Sequence, residues 1–354
     1  MIQFNDGDIE EMSRMAAEIA MPKVENDYGA FARENLVQLN QVVRKFYKYL
    51  SPEHLQEVVI YISCVEDRNQ NYSVNQTQPK KVIDLSTLTQ IELQSISIQI
   101  LSDTDFLVYQ GEIIDIEEAR ESGILYHYKY GREKYFIKSE EIKIPSFSSF
   151  PSSFAFPTFK DLDNALEAYG IRRAKRSTCE ILKRAWNEEE KIFFKEKPEI
   201  QQRKSLYDFL DITLRAAEVS EEQNVDDTQP IDIKVSWDFA NHLALIEVKW
   251  LGKSIKEDRS GFTSKYYDAR AQEGFDQIIN YMNVGKDRFF HKQSIGYLVV
   301  FDGRRYQTNE ETTEISKKNG FHYENKDLSF NPDPSTVKNV ETPIRFFMEP
   351  ICTG

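Results

Sequence analysis

Residues 243–250, Leu-Ala-Leu-Ile-Glu-Val-Lys-Trp, set two opposite charges into an otherwise apolar run. Read as a strand, this run puts Glu247 and Lys249 on one face, because successive side chains alternate sides. A plain core strand rarely carries both, since a buried charge is costly unless it is paired or ligates a metal. Just upstream, residues 231–237 alternate strictly between apolar and polar, and Phe239-Ala240-Asn241-His242 can turn, so the two segments predict a β-hairpin. Asp232, near the start of the first strand, then lies at hairpin distance from Glu247.

Two carboxylates and an ammonium can converge there. Clustered carboxylates repel and raise one another's pKa, a penalty that a divalent cation offsets. Mg²⁺ suits hard oxygen ligands and keeps water positions open for a phosphate substrate, with Mn²⁺ as a substitute. Asp232, Glu247 and the backbone carbonyl of Val248 form a candidate ligand set, with Lys249 placed to orient or deprotonate an attacking water. The E-x-K triplet alone is no signal, because it recurs at Glu141–Lys143, Glu189–Lys191 and Glu324–Lys326. A partly exposed ion-pair set, worth about 0–1 kcal/mol, is the competing reading.

With Asp232 followed by Glu247-Val248-Lys249 across a hairpin, the chain resembles the PD-(D/E)XK nuclease superfamily over roughly residues 176–302. A second match is Gln277-Ile278-Ile279-Asn280-Tyr281, similar to the Q-x-x-x-Y helix that follows the E-x-K strand in many members. Glutamine and tyrosine four apart share a helix face, and the resemblance implies that they approach the active site and the substrate backbone. A residue stands between Pro230 and Asp232, so Asp227 competes with Asp232 for the aspartate's place; Asp232 is preferred because it sits on the strand. The family often adds an acid from the helix before the hairpin, for which Asp211 and Glu218 are the candidates.

At 354 residues the chain is long enough for two domains. Residues 8–64 read as helical, with Ser51 and Pro52 as a cap and first turn of a helix reaching Cys64. Glu66–Lys81 reads as a loop and residues 91–143 as strands. Pro145–Pro157, rich in Ser, Pro and Phe, breaks the pattern. The expected division is an α+β domain at 1–144, a linker at 145–159 and the nuclease-like domain at 160–354. Within the last, helices are expected near 162–169, 177–194 and 199–218, then an acidic loop at 220–229. The fold class is α/β: a restriction-endonuclease-like mixed sheet flanked by helices in the C-terminal half, preceded by a smaller α+β domain.

Composition narrows the partners. A net charge of −13 argues against a general polyanion-binding surface, so nucleic-acid contact must be local. Arg172, Arg173, Lys175 and Arg176 form one basic cluster, and Lys253, Lys256, Arg259, Lys265 and Arg270 another; both read either as phosphate contacts or as solvated surface. Tyr126, Tyr128 and Tyr130 read as one face of a sheet or as base-stacking rings. Three scattered cysteines and five scattered histidines indicate neither a disulfide framework nor a zinc site. The acidic first residues and the lack of a long apolar run lead us to expect a cytoplasmic protein without membrane contact.

The resulting expectation is an Mg²⁺-dependent DNA endonuclease, similar to restriction or antiviral-defence effectors. Residues 1–144 would recognise a target, regulate, or bind a protein partner or a second copy of the chain. A catalytically inactive nuclease fold acting as a nucleic-acid-binding or scaffold module is the alternative.

Overall fold

The computed structural model describes residues 6–65, 79–90, 95–146, 150–214, 216–226, 229–284 and 292–353. The chain divides into two units. Met1–Lys160, Phe239–His242 and Phe290–Gln293 form the first; Asp161–Asp238, Leu243–Phe289 and Ser294–Gly354 form the second.

The first unit opens with two helices, α1 (Asp6–Tyr28) and α2 (Ala32–Tyr49). A seven-stranded sheet follows, made of β1 (Glu57–Ser63), β2 (Lys80–Val82), β3 (Ser95–Ile100), β4 (Phe106–Gln110), β5 (Gly123–Lys129), β6 (Arg132–Ile137) and β7 (Glu140–Lys143). A four-residue helix, α3 (Ile116–Ala119), precedes β5. The order is β2-β4-β3-β1-β5-β6-β7, and β1 and β3 run parallel while the other pairs are antiparallel. Val58, Ile60 and Ile62 face a core shared with Leu36, Leu39, Val43 and Phe46 of α2. Val59 and Tyr61 face the opposite cluster with Leu107, Tyr109 and Leu125.

Burial on both faces corrects the expectation that residues 52–64 are helical. A run of β-branched residues with no polar side fits a central strand better than an amphipathic helix. Only a 3-10 turn, Pro52–His54, remains of the expected helix, and the Ser51 hydroxyl caps it by accepting from Glu53 N at 3.3 Å. Tyr126 and Tyr128 are buried in this sheet, which makes them core residues; Tyr130 is exposed.

The Ser/Pro/Phe segment, expected as a linker whose phenylalanines pack along a domain surface, is fastened to the first unit from Ser152 onward. Ser152 Oγ and Ser153 N donate to the Glu133 carboxylate at 2.6 and 2.7 Å. Phe154 sits edge-on against Tyr126. Further along, Glu53 accepts from the backbone N–H groups of Thr158, Phe159 and Lys160. Phenylalanines that alternate with small polar residues can bury alternate side chains, so irregular backbone need not be free backbone.

The second unit is built on α4 (Phe159–Tyr169), α5 (Glu180–Lys183), α6 (Pro198–Thr213), β8 (Glu218–Asp226), β9 (Gln229–Trp237), β10 (His242–Ile255), β11 (Phe262–Tyr266), α7 (Asp268–Val284), β12 (Gln293–Asp302), α8 (Lys317–Gly320) and β13 (Ile344–Phe347). Its sheet runs β13-β12-β10-β9-β8, with β11 paired to β10. The β8–β9 pair is antiparallel and the β12–β13 pair parallel, so both sheets of the molecule are mixed and both are flanked by helices. α7 packs over β10 and β12 through Ala271, Phe275 and Ile278 against Leu243, Leu245 and Leu298.

Three expectations change here. The helix expected over 177–194 is α-helical only over Glu180–Lys183. Ile192, Phe193 and Phe194 are all buried, and three consecutive buried side chains cannot share one helix face. The helix expected to reach residue 218 ends at Thr213, and the acidic stretch expected as a loop lies on β8. There Val219 pairs with Val235 and Glu221 with Ile233; β8 closes the sheet edge, where acidic residues discourage further strand pairing. Among the described residues no helix is long and apolar enough to cross a membrane.

Candidate active site

β10 sets the geometry. Leu243 and Leu245 face α7, and strand alternation puts Glu247 and Lys249 on that same covered face. The approach is possible because α7 carries Gly274 there: a Cβ at that position would lie 2.6 Å from Lys249 Cγ and 2.8 Å from Leu298 Cδ1. Glu247 and Lys249 are 3% and 4% exposed, and the Lys249 ammonium donates to Glu247 Oε1. The other oxygen, Glu247 Oε2, is buried and has no hydrogen-bond partner among the described residues.

Asp232 on β9 is also buried. Its Oδ2 accepts from the backbone N–H of Val248 at 2.8 Å and its Oδ1 from Arg203 Nη1 at 3.0 Å. Burial first, and then the Asp232 charge, push the Glu247 carboxyl up to about 7. The hairpin therefore brings Asp232, Glu247, Val248 and Lys249 together. Asp227 lies outside the described residues.

α7 carries both Gln277 and Tyr281, and the charges of Glu247 and Asp232 act on the latter. Gln277 Oε1 is buried with no partner among the described residues. The Tyr281 hydroxyl donates to Pro230 O at 3.3 Å, and its pKa is raised, chiefly by burial and then by the charges of Glu247 and Asp232. Tyr281 is thus a neutral hydrogen-bonding group beside both carboxylates.

Neither acid expected from the preceding helix, Asp211 or Glu218, has a described contact with Asp232 or Glu247. Asp211 is near the C-terminal end of α6 and Glu218 opens β8. Glu199, in the first turn of α6, is the acid of that helix whose charge acts on Glu247: its own carboxyl is raised by burial and by Asp232, while Lys249, Arg270 and Arg203 oppose the shift. Sequence reasoning also missed Arg203, one turn further along α6. The available signal was Pro198-Glu199 as a first helical turn followed by arginine at i+4.

Of the basic residues expected to meet substrate, Arg270 reaches the site, with Nη2 3.7 Å from Glu199 and Nη1 2.8 Å from Glu273. None of the others has a described contact with the site. Lys175 and Arg176 pair with Glu349, and the Arg173 guanidinium lies 5.0 Å from the Phe209 ring centroid. Arg172 lies in the same turn, where its carbonyl accepts from Thr178 Oγ1. Lys253 Nζ donates to Thr308 O and Oγ1.

Among the described residues no three His, Cys, Asp or Glu side chains stand together as a ready metal cage. The donors present still fit a hard divalent ion: two facing carboxylates, one of them with a buried, unpartnered oxygen. No family model, curated protein or solved structure matches the chain, and its functional reading rests on this geometry.

Proposed function

We propose that the second unit is a metal-dependent nuclease centre of PD-(D/E)XK type that hydrolyses phosphodiester bonds, with DNA as the favoured substrate. The observation that carries this reading is Glu247: a buried carboxylate facing Asp232, bonded to Lys249 through one oxygen and to no described residue through the other. The order α6, β8, β9, β10, β11, α7, β12 supports the resemblance, since it contains in sequence the helix, hairpin, helix and strand that the motif implies.

Asp232, Glu247 and the Val248 carbonyl would hold Mg²⁺ or Mn²⁺, with Glu199 near enough to add charge. The chemistry a bound ion supplies is neutralisation of the carboxylates and polarisation of a phosphate oxygen. Lys249 orients the attacking water and meets the negative charge that develops on the phosphate. Gln277 and Tyr281 position the substrate through neutral hydrogen bonds, and Arg270 is the cation placed to meet a phosphate. The first unit recognises the target, regulates the nuclease or binds a partner.

One observation favours a second reading, an inactive nuclease fold used as a binding or scaffold module. Arg203, Lys249 and Arg270 already oppose Asp232, Glu247 and Glu199, so the site is charge-balanced as it stands. Incubation of the full chain with single- and double-stranded DNA and RNA, with Mg²⁺ and with EDTA, separates the two. Mg²⁺-dependent cleavage of DNA is expected; binding without cleavage of any substrate would favour the module.

A further inference from the structure

The Asp232–Arg203 pair holds the position that a metal ion would need. Both side chains are mostly buried, at 17% exposure for Arg203 and 10% for Asp232. An aspartate left bare there would be strongly disfavoured, and the guanidinium supplies the charge that keeps it in place. We propose that Arg203 is the resident counter-ion of the site: it occupies Asp232 Oδ1 until a divalent cation displaces it, and so sets the metal affinity of the nuclease centre. This inference rests on the function proposed above.

Two features make the exchange feasible. Asp232 Oδ2 is fixed by the backbone N–H of Val248 at 2.8 Å, so the carboxylate stays aimed when Oδ1 changes partner. Arg203 also has a second carboxylate within reach. Glu199 sits four residues earlier on α6, on the same helix face, and already feels the Arg203 charge. A displaced guanidinium can turn from Asp232 to Glu199 without leaving the protein. Lys249 cannot play this part, because it is bonded to Glu247 on its own strand.

Arg203 is therefore a positioning residue whose removal should improve one property. A cation next to a divalent ion opposes its binding, and the opposition is strong where water is excluded. Calorimetric titration with Mn²⁺ of the full chain, Arg203→Gln, Arg203→Lys and Glu247→Gln tests this. Arg203→Gln should bind Mn²⁺ at least about tenfold more tightly than the unmodified chain. Arg203→Lys, which keeps the charge, should stay close to the unmodified chain, and Glu247→Gln should lose most binding. Damage to the fold would weaken binding, so tightening is not a structural side effect. Equal or weaker binding by Arg203→Gln, with the unmodified chain binding well, would overturn the counter-ion role and leave the nuclease reading intact. No Mn²⁺ binding by either chain would overturn both. A measurement on the unmodified chain guards against misfolding of the variant: the arginine side-chain NMR signal of Arg203 should shift on saturation with Mg²⁺, and an unmoved signal would also overturn the proposal.

Discussion

Glu133 in the first unit and Glu247 in the second are both nearly inaccessible, at 6% and 3% exposure, and burial raises the carboxyl pKa of each. Their surroundings differ in kind. Glu133 accepts from the Tyr126 hydroxyl, Ser152 Oγ and Ser153 N, so both oxygens are met by neutral donors that tie residues 152–154 to the sheet. Glu247 has one donor, Lys249, an oxygen with no partner among the described residues, and a second carboxylate facing it. Leaving a buried acceptor unmet costs about 1–3 kcal/mol. The first arrangement is complete in itself; the second leaves an acceptor that a bound cation would meet on the function proposed above.

The sharpest division should appear in activity. Lys249→Ala and Asp232→Ala are expected to lower Mg²⁺-dependent DNA cleavage at least about 1,000-fold. Tryptophan fluorescence should report an intact second unit in both, because Trp186, Trp237 and Trp250 all lie within it. Cleavage retained in both variants would remove the distinction between the two carboxylates. If Asp227→Ala is the inactive variant instead, the aspartate of the motif is Asp227.

Stability should divide the opposite way. Glu133→Ala strands three donors and is expected to cost the first unit about 3 kcal/mol. Glu247→Gln relieves the like-charge contact with Asp232 but leaves the buried Lys249 ammonium facing a neutral amide; the two effects oppose, and the second unit is expected to lose less than about 2 kcal/mol. Urea titrations followed by circular dichroism and by tryptophan fluorescence read the two effects; equal losses would break the comparison.

The first unit also carries neutral buried imidazoles. Desolvation lowers His54 to about 4 and His242 to about 3. Phe159 lies between them, 5.0 Å from the His54 ring and 5.2 Å from that of His242. Unfolding returns both rings to about 6.5, so below that pH the unfolded chain binds protons that the folded one does not. Stability is therefore present above pH 6.5 and lost as pH falls from there toward 4, by up to about 1.4 kcal/mol per pH unit for each ring. Glu133 and Glu53, raised by burial, act in the opposite direction once the pH nears ordinary carboxylate values. The urea midpoint of the first unit should be lower at pH 5.5 than at pH 7.5, and a flat profile would contradict neutral burial of the rings.

The smallest effects belong to α7. Gln277→Ala and Tyr281→Phe each remove a neutral hydrogen bond worth about 0.5–1.5 kcal/mol and should slow cleavage by about tenfold or less, leaving the first Mg²⁺ nearly as tightly bound. Loss of metal binding as complete as in Glu247→Ala would put these residues inside the metal site.

How much of this was legible before folding follows from the range of each signal. The β9–β10 hairpin and the α7 pair could be read because alternation and four-residue spacing are local properties. β1 could not: Val58–Ile62 is a strand because helices cover one face and a second apolar cluster the other, and that cluster draws on Leu107, Tyr109 and Leu125, far along the chain. That the Ser/Pro/Phe segment packs against a domain could be read from its phenylalanines, but its anchor could not, since Glu133 holds Ser152 and Ser153 from another strand. Arg203 and Glu199 reach Asp232 from another element; their i, i+4 spacing marks one helix face but not the strand residue that this face meets.

Supercoiled DNA incubated with Mg²⁺ and either the unmodified chain or Glu247→Gln tests the central claim most directly, because the substitution keeps the shape of the side chain and removes its charge. The unmodified chain is expected to cut the DNA, EDTA to stop it and Glu247→Gln to leave the DNA intact. Equal cutting by both chains, or none by the unmodified chain, would contradict that claim.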